Sequence, residues 1–219
     1  MTFARKRTAI LISGRGSNMR ALIEHARAKD FPAEIALVLS NRPEAPGLFF
    51  ARESRIACAI VDHKKFPSRE EFERAMQAHL EERRVEIICL AGFMRLLTPW
   101  FVAQWQGRLL NIHPALLPAY RGLKTHERAL ADGVKIHGCT VHFVSPGMDE
   151  GPIIAQAAVP VLDADTPESL AARVLAEEHI IYPAALKRLA AGRLSIRGGR
   201  VFCSDPVAEP APLRAPFAV

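Results

Sequence analysis

Long apolar runs are missing from this chain. Nothing in it approaches the roughly 18–20 consecutive apolar residues that a membrane-spanning helix needs. Behind the basic Arg5-Lys6-Arg7 only Ala9 to Ile12 follow before Ser13-Gly14, short of the about 7–15 apolar residues of a secretory leader. These absences argue against membrane association and secretion, and the expected location is the cytoplasm. Cysteine is scarce as well. The four residues Cys58, Cys89, Cys139 and Cys203 are scattered, with no pair spaced for a metal and no disulfide framework, so no metal site is expected. Three of them, Cys58, Cys89 and Cys139, sit in apolar or β-like runs where a buried, inert thiol is the default. Aromatic residues are few, with only two Trp and two Tyr, and no RNA-binding aromatic signature is found. The formal charge of +6 comes from basic residues spread along the chain among acids. That pattern reads as a solvated basic surface, or as a preference for anionic small ligands, rather than as a nucleic-acid face.

What is present is an alternation. At 219 residues with 49% hydrophobic composition, the chain has the length and apolar content of one α/β domain with a sizeable core. Strand-like runs at 8–13, 34–39, 57–61, 86–90 and 109–113 alternate with helical stretches at about 19–28, 48–54 and 68–80. This order predicts a doubly wound, mostly parallel twisted sheet flanked by helices. Ser68-Arg-Glu-Glu71 has capping-box form, and the apolar stripe of the helix that follows, Phe72, Ala75, Met76, His79 and Leu80, makes His79 a packed core histidine. Two further strands, 138–145 and 153–159, are expected to form an antiparallel extension. A last long helix starts at Thr166-Pro167, stops near Gly192 and should kink at Pro183. A hairpin follows through Gly198-Gly199. Residues 1–203 are expected to form a single domain, and the Pro- and Ala-rich 204–219 a poorly ordered tail.

The chemistry concentrates on a few positions. Leu109-Leu-Asn-Ile-His113 reads as a buried strand that Pro114 must end. Strand alternation puts Asn111 and His113 on one side, at the strand end where open α/β sheets bind ligands. Between the first strand and helix lies Gly14-Arg-Gly16-Ser17-Asn18. Such a turn brings backbone amides and a helix N-terminus to an anion, typically phosphate; read more plainly, it is a tight turn capped by Ser17. It has neither the dinucleotide fingerprint nor a Walker loop. Of the eight histidines, His25, His63, His126 and His137 fall in surface-like segments, whereas His113, His142 and His179 are better placed. Asp149, in a Gly-flanked loop after the His142 strand, is the acid that could orient an imidazole and favour its charged form. A charged His beside an Asn amide suits a developing oxyanion. No Gly-x-Ser-x-Gly elbow is present, which points to direct transfer between two bound substrates. On the last helix Glu178 falls inside the apolar arc. An unpaired carboxylate there would cost several kcal/mol, so it needs a partner or a cleft.

Taken together, these motifs resemble the folate-dependent formyltransferase family. The resemblance is carried by Ser13-Gly-Arg-Gly-Ser-Asn18, Leu90-Ala-Gly-Phe-Met-Arg95, Leu110-Asn-Ile-His-Pro-Ala-Leu-Leu-Pro118, Val141-His-Phe-Val144, Asp149-Glu-Gly-Pro152 and Glu178-His-Ile-Ile-Tyr-Pro183. It covers about residues 8–196 and is strongest for the branch that acts on phosphoribosylglycinamide in purine biosynthesis.

The resemblance implies the Rossmann-like formyltransferase fold and transfer of a formyl group from 10-formyltetrahydrofolate to the glycinamide amine. Asn111, His113 and Asp149 would be the catalytic group. Gly16, Ser17, Asn18, Met19, Arg20 and Glu178 would receive the phosphoribosyl substrate. Arg69, Met94, Arg95, Leu96 and Leu97, with Asn111, would bind folate. The N-terminal half would thus hold the nucleotide, and the C-terminal half the folate and the catalytic residues. The folate would be a co-substrate, with no tightly bound cofactor. Partners would be small molecules alone, with no nucleic acid or membrane, in a monomer or weak homodimer. Arg15, Ala115 and Arg121 depart from the family's usual residues without touching the catalytic set. Within the same fold, formyltetrahydrofolate deformylase and methionyl-tRNA formyltransferase are the competing activities. Each normally carries an extra domain for which 219 residues leave no room.

Overall fold

The computed structural model describes residues 4–205 and Ala215; the expected tail therefore lies almost wholly outside the described residues. The chain runs β1 (Lys6–Ile12), α1 (Ser17–Ala26), β2 (Ala33–Ser40), α2 (Gly47–Glu53), β3 (Cys58–Ile60), α3 (Arg69–Glu82), β4 (Ile87–Leu90), α4 (Pro99–Gln104) and β5 (Leu109–His113). It continues through α5 (Thr125–Ala131), β6 (Ile136–Phe143), β7 (Ile153–Pro160), α6 (Pro167–Ala190), β8 (Leu194–Arg197) and β9 (Arg200–Cys203). Seven strands form one sheet in the order β3-β2-β1-β4-β5-β6-β7, and β8 pairs with β9 separately. From β3 to β5 the pairing is parallel, and β6 and β7 join antiparallel. The expected doubly wound sheet with its antiparallel extension is what forms.

Both faces of the parallel part are covered, which is why its strands read as unbroken apolar runs. Along β1, Ile10 and Ile12 pack with Met19 and Leu22 of α1, Leu48 of α2 and Val174, Tyr182 and Leu186 of α6. Ala9 and Leu11 face the opposite layer, with Phe72, Met76 and Leu80 of α3 and Phe101 and Trp105 near α4. Each fully buried Leu, Ile or Phe contributes about 1.5–3 kcal/mol relative to exposure, so a one-residue slip of β1 would cost both layers at once.

Helix ends follow the local sequence. Ser68 accepts from the Glu71 backbone at the start of α3, and Thr98 accepts from Phe101 N ahead of Pro99 in α4. At α6 the Thr166 and Ser169 side chains form a reciprocal cap. This helix continues through Pro183 as one element. Beside that proline the buried Tyr182 hydroxyl donates to the carbonyls of Leu90 (3.0 Å) and Leu110 (3.2 Å), tying α6 to β4 and β5. His79 departs from expectation: its side chain is 44% exposed, with Nδ1 3.9 Å from Glu82. The apolar stripe is narrower than the spacing implied, and Glu73 rather than His79 is the polar residue buried on this helix.

Candidate active site

Strand β1 pairs with β2 on one side and β4 on the other, so the strand order reverses there and a crevice opens beyond the carboxyl ends. The site is built from what leaves those ends. On β5, Leu109 belongs to the α3–α4 layer. Asn111 and His113 continue the same face past the helices that cover it, which is why two polar side chains can stand there. The antiparallel register sets Asn111 opposite His142 and His113 opposite Thr140. Thr140 then anchors the turn after β5, donating to Ala115 O (2.7 Å) and accepting from Leu117 N (3.0 Å).

His113 is 5% exposed. Its Nε2 lies 2.9 Å from the Tyr120 carbonyl, and its Nδ1 lies 3.4 Å from Asp149 Oδ2. Both ring nitrogens face acceptors, the pattern an imidazolium satisfies. Asp149 has a left-handed backbone, with φ 54, uncommon outside glycine. The same Oδ2 accepts from Gly122 N at 2.9 Å, joining the 118–124 loop to the acid. Gly151 permits this loop: a Cβ there would lie 1.6 Å from Phe143 O.

His142 orients Asn111. Its Nδ1 lies 2.8 Å from Phe143 O and acts as the donor there, leaving Nε2 as an acceptor 3.2 Å from Asn111 Nδ2. Burial holds the His142 ring below its ordinary value, against the opposing pull of the Phe143 carbonyl and Asp149, so the neutral acceptor form is favoured. Asn111 Nδ2 carries a second hydrogen that this contact leaves free.

A cavity of about 730 Å³ lies against these groups, lined among others by Phe93, Met94, Arg95, Leu96, Asn111, His113, Leu123, Lys124, Met148 and Asp149. A smaller one of about 120 Å³ adjoins it, reaching Leu90, Leu97, His142 and Val144. The expected folate residues Met94, Arg95, Leu96, Leu97 and Asn111 are thus brought together. Arg95 Nε is buried with no hydrogen-bond partner among the described residues. Arg69 is exposed at the start of α3 and lines neither cavity.

The glycine loop differs in detail from its reading. Gly16, with φ 70, holds the cap position of α1 and Ser17 is the first helical residue, so Ser17 is not the cap. No side chain caps this helix start, and its first amides lack intrahelical partners, the arrangement that receives an anion. Met19 is fully buried in the core, so of that residue only the backbone amide is open to a ligand. Arg20 is exposed and stacks on Phe50, 4.6 Å from the ring centroid. Asn18 Nδ2 donates to Glu178 Oε2 at 2.6 Å. The carboxylate that looked unexplained on α6 thus meets a residue of the glycine loop, and at 6% exposure its carboxyl is raised by burial, with Asn18 pulling the other way.

Behind His113 stands a group that reading the sequence placed on the surface. His137 is 1% exposed, its ring 5.3 Å from that of His126 and 5.7 Å from Tyr120. Neither ring nitrogen makes a hydrogen bond of good geometry among the described residues. Burial first, and then the His126 charge, push His137 down to about 4, with the Pro114 carbonyl opposing and the His113 charge adding to the fall. The antiparallel extension buries this strand on both faces, which no local pattern disclosed.

An open α/β sheet with its polar side chains gathered beyond the carboxyl ends of β1, β4 and β5 defines a small-molecule enzyme of the Rossmann-like class. The chain belongs to the formyl transferase family, whose profile matches residues 6–186. It is 42% identical to a phosphoribosylglycinamide formyltransferase from Haemophilus influenzae, over 88% of this chain and 91% of that protein. It is 46% identical over 197 residues to the human trifunctional purine biosynthetic protein adenosine-3, covering 90% of this chain and only 20% of that protein. The crystal structure of glycinamide ribonucleotide transformylase 1 from Symbiobacterium toebii superposes with a TM-score of 0.90 at 47% identity, covering 92% of this chain and 95% of that one.

Proposed function

We propose that this protein transfers the formyl group of 10-formyltetrahydrofolate to the amine of 5′-phosphoribosylglycinamide, a step of purine biosynthesis. The observation that carries the reading is the gathering of Asn111, His113 and Asp149 at one wall of the 730 Å³ cavity, with His113 Nδ1 3.4 Å from the Asp149 carboxylate. The relatives' names supply the acceptor and the formyl transfer, the family resemblance supplies the folate donor, and the geometry supports the chemistry.

In this reading the substrate amine attacks the formyl carbon and a C–N bond forms. The carbonyl electrons become an oxyanion, which receives the free N–H of Asn111 and the positive charge of His113. Preorganised donors of this kind are worth about 2.7–4 kcal/mol each in comparable sites. Asp149, 3.4 Å from His113 Nδ1, orients the imidazole and takes up the proton that the amine loses, through water. The oxyanion then collapses, the bond to N10 of the folate breaks, and N10 receives the proton. No group on the protein is acylated.

Gly16, Ser17, Asn18, Met19 and Arg20 offer the helix-start amides and one guanidinium to the phosphate and ribose, and Glu178 completes that end through Asn18. The apolar wall of Met94, Leu96 and Leu97, with Arg95, takes the folate, and Arg69, which lines neither cavity, is assigned to the folate by the family resemblance alone. The nucleotide end is built from the start of α1 with Glu178 of α6, and the folate end from residues 94–97 with Asn111. The folate is a co-substrate rather than a resident cofactor, and the enzyme acts in the cytoplasm on small molecules as a monomer or weak homodimer. The test is to mix the protein with both substrates and follow tetrahydrofolate formation by absorbance. Acceptor-dependent product is expected; product released without the amine, or none at all, overturns the reading.

A further inference from the structure

Residues 92–98 cross between β4 and α4 without regular structure. They wall the cavity while leaving Met94 and Leu96 61% and 55% exposed. Among the described residues the backbone of Arg95, Leu96 and Leu97 makes no hydrogen bond. Its shape therefore depends on how its two ends are held.

Both ends are held by buried side chains that the chemistry above does not use. At the entry, Met94 N donates to Ser13 Oγ at 2.8 Å, and Ser13 Oγ in turn donates to Asn41 Oδ1 at 2.6 Å. At the exit, Thr98 N donates to Glu73 Oε1 at 2.7 Å, and the Thr98 hydroxyl donates to Glu73 Oε2. Glu73 is wholly buried on α3. Burying a carboxylate is expensive, and removing the partners of one already buried is more so. Burial raises the Glu73 carboxyl, while the Thr98 hydrogen bonds and the Arg69 charge oppose that rise. Capping α4 does not require Glu73, since the Thr98 hydroxyl oxygen already accepts from Phe101 N at 3.3 Å. What the carboxylate adds is a fixed position for the last amide of the 92–98 segment.

We propose that Glu73 is a positioning residue for the formyl donor: by gripping Thr98 it fixes the exit of the 92–98 segment, as Ser13 fixes its entry, and so sets the shape of the donor cavity's wall. The inference rests on the reading that this cavity takes the folate. It places the effect on one substrate only, because the acceptor's glycine loop is reached through Ser13 and not through Glu73.

The test is steady-state kinetics of Glu73→Ala, Glu73→Asp and Glu73→Gln, each substrate varied with the other saturating. For Glu73→Ala the donor KM should rise about tenfold, the scale of one lost charge-assisted hydrogen bond. The acceptor KM should stay within about twofold of wild type, as expected when an interaction serving one substrate is lost. Glu73→Gln keeps an acceptor for Thr98 N and should restore most of the donor KM. Glu73→Asp, one methylene too short to reach both Thr98 groups, should raise it and serves if the alanine variant does not fold. Equal rises in both KM values, or a lowered Tm with the donor KM unchanged, would mean a purely structural role and overturn the proposal. Wild-type protein that neither transfers formyl nor binds tetrahydrofolate overturns the functional reading itself, an outcome distinct from the other two.

Discussion

His113 and Asp149 meet with Nδ1 and Oδ2 3.4 Å apart, the imidazole at the end of β5 and the carboxylate on the loop after β6. Neither position is defined by its own element alone: β6 pairs with β5, and the loop folds back over the pair. Asp149→Asn preserves the side chain's shape and removes its charge. Turnover should fall by about 10²–10⁴-fold, the usual scale for losing an acid–base group, with far-UV circular dichroism and Tm close to wild type. Near-normal turnover would remove Asp149 from the mechanism.

Gly151 makes that loop possible. Its Cα hydrogen points at the Phe143 carbonyl, and a methyl would lie 1.6 Å from that oxygen. Gly151→Ala must move the backbone, with a stability cost of about 1–3 kcal/mol typical of overpacking. Activity should fall by more than stability predicts, because Asp149 moves with the loop. Urea unfolding and kcat, measured together, separate the two effects.

Glu178 and Asn18 form a buried pair. Burial raises the Glu178 carboxyl, so the folded chain holds this proton more tightly than the unfolded one and ionisation costs stability as pH rises past the carboxylate range. Glu178→Gln keeps an oxygen for Asn18 Nδ2 and removes the charge. Its unfolding free energy at pH 7 should equal wild type or exceed it by about 1 kcal/mol, while the KM for the nucleotide amine rises. A marked loss of stability would mean that the ion, not the hydrogen bond, holds α1 against α6.

His137 works in the opposite sense. Its folded value, about 4, lies below the roughly 6.5 of an unfolded histidine. The unfolded chain therefore binds more protons between those values. The contribution is fully present above pH 6.5 and is lost as pH falls towards 4, by about 2 kcal/mol between pH 7 and pH 5. His126, also lowered by burial, shifts stability in the same direction. Denaturant unfolding at both pH values should show the loss, and His137→Gln should flatten it; an unchanged slope would place the titration elsewhere.

How legible the site was depended on the distance over which its geometry is set. Asn111 and His113 share a face by strand alternation, and Pro114 ends the strand, so their juxtaposition is local. The glycine turn before α1 is local too, although the cap fell to Gly16 rather than Ser17 because only glycine takes φ 70 without strain. His79 was read as core and is half-exposed, whereas Glu73, which no local pattern singled out, is buried because Thr98, ahead of another helix, meets its carboxylate. His137 looked like a surface residue because its neighbours Ile136 and Gly138 carry no sign of the strand packed beside them.

By itself, the sequence determined the order of strands and helices, the two-faced core, the polar strand end and the family, since apolar period, proline and glycine act through the nearest few residues. Tertiary structure alone decided that Asp149 reaches His113, that His142 orients Asn111, that Glu178 meets Asn18 and that Glu73 grips Thr98. Each of these is a contact between segments far apart in the chain. Its partner is chosen by sheet register and helix packing, and by no property of the residue itself.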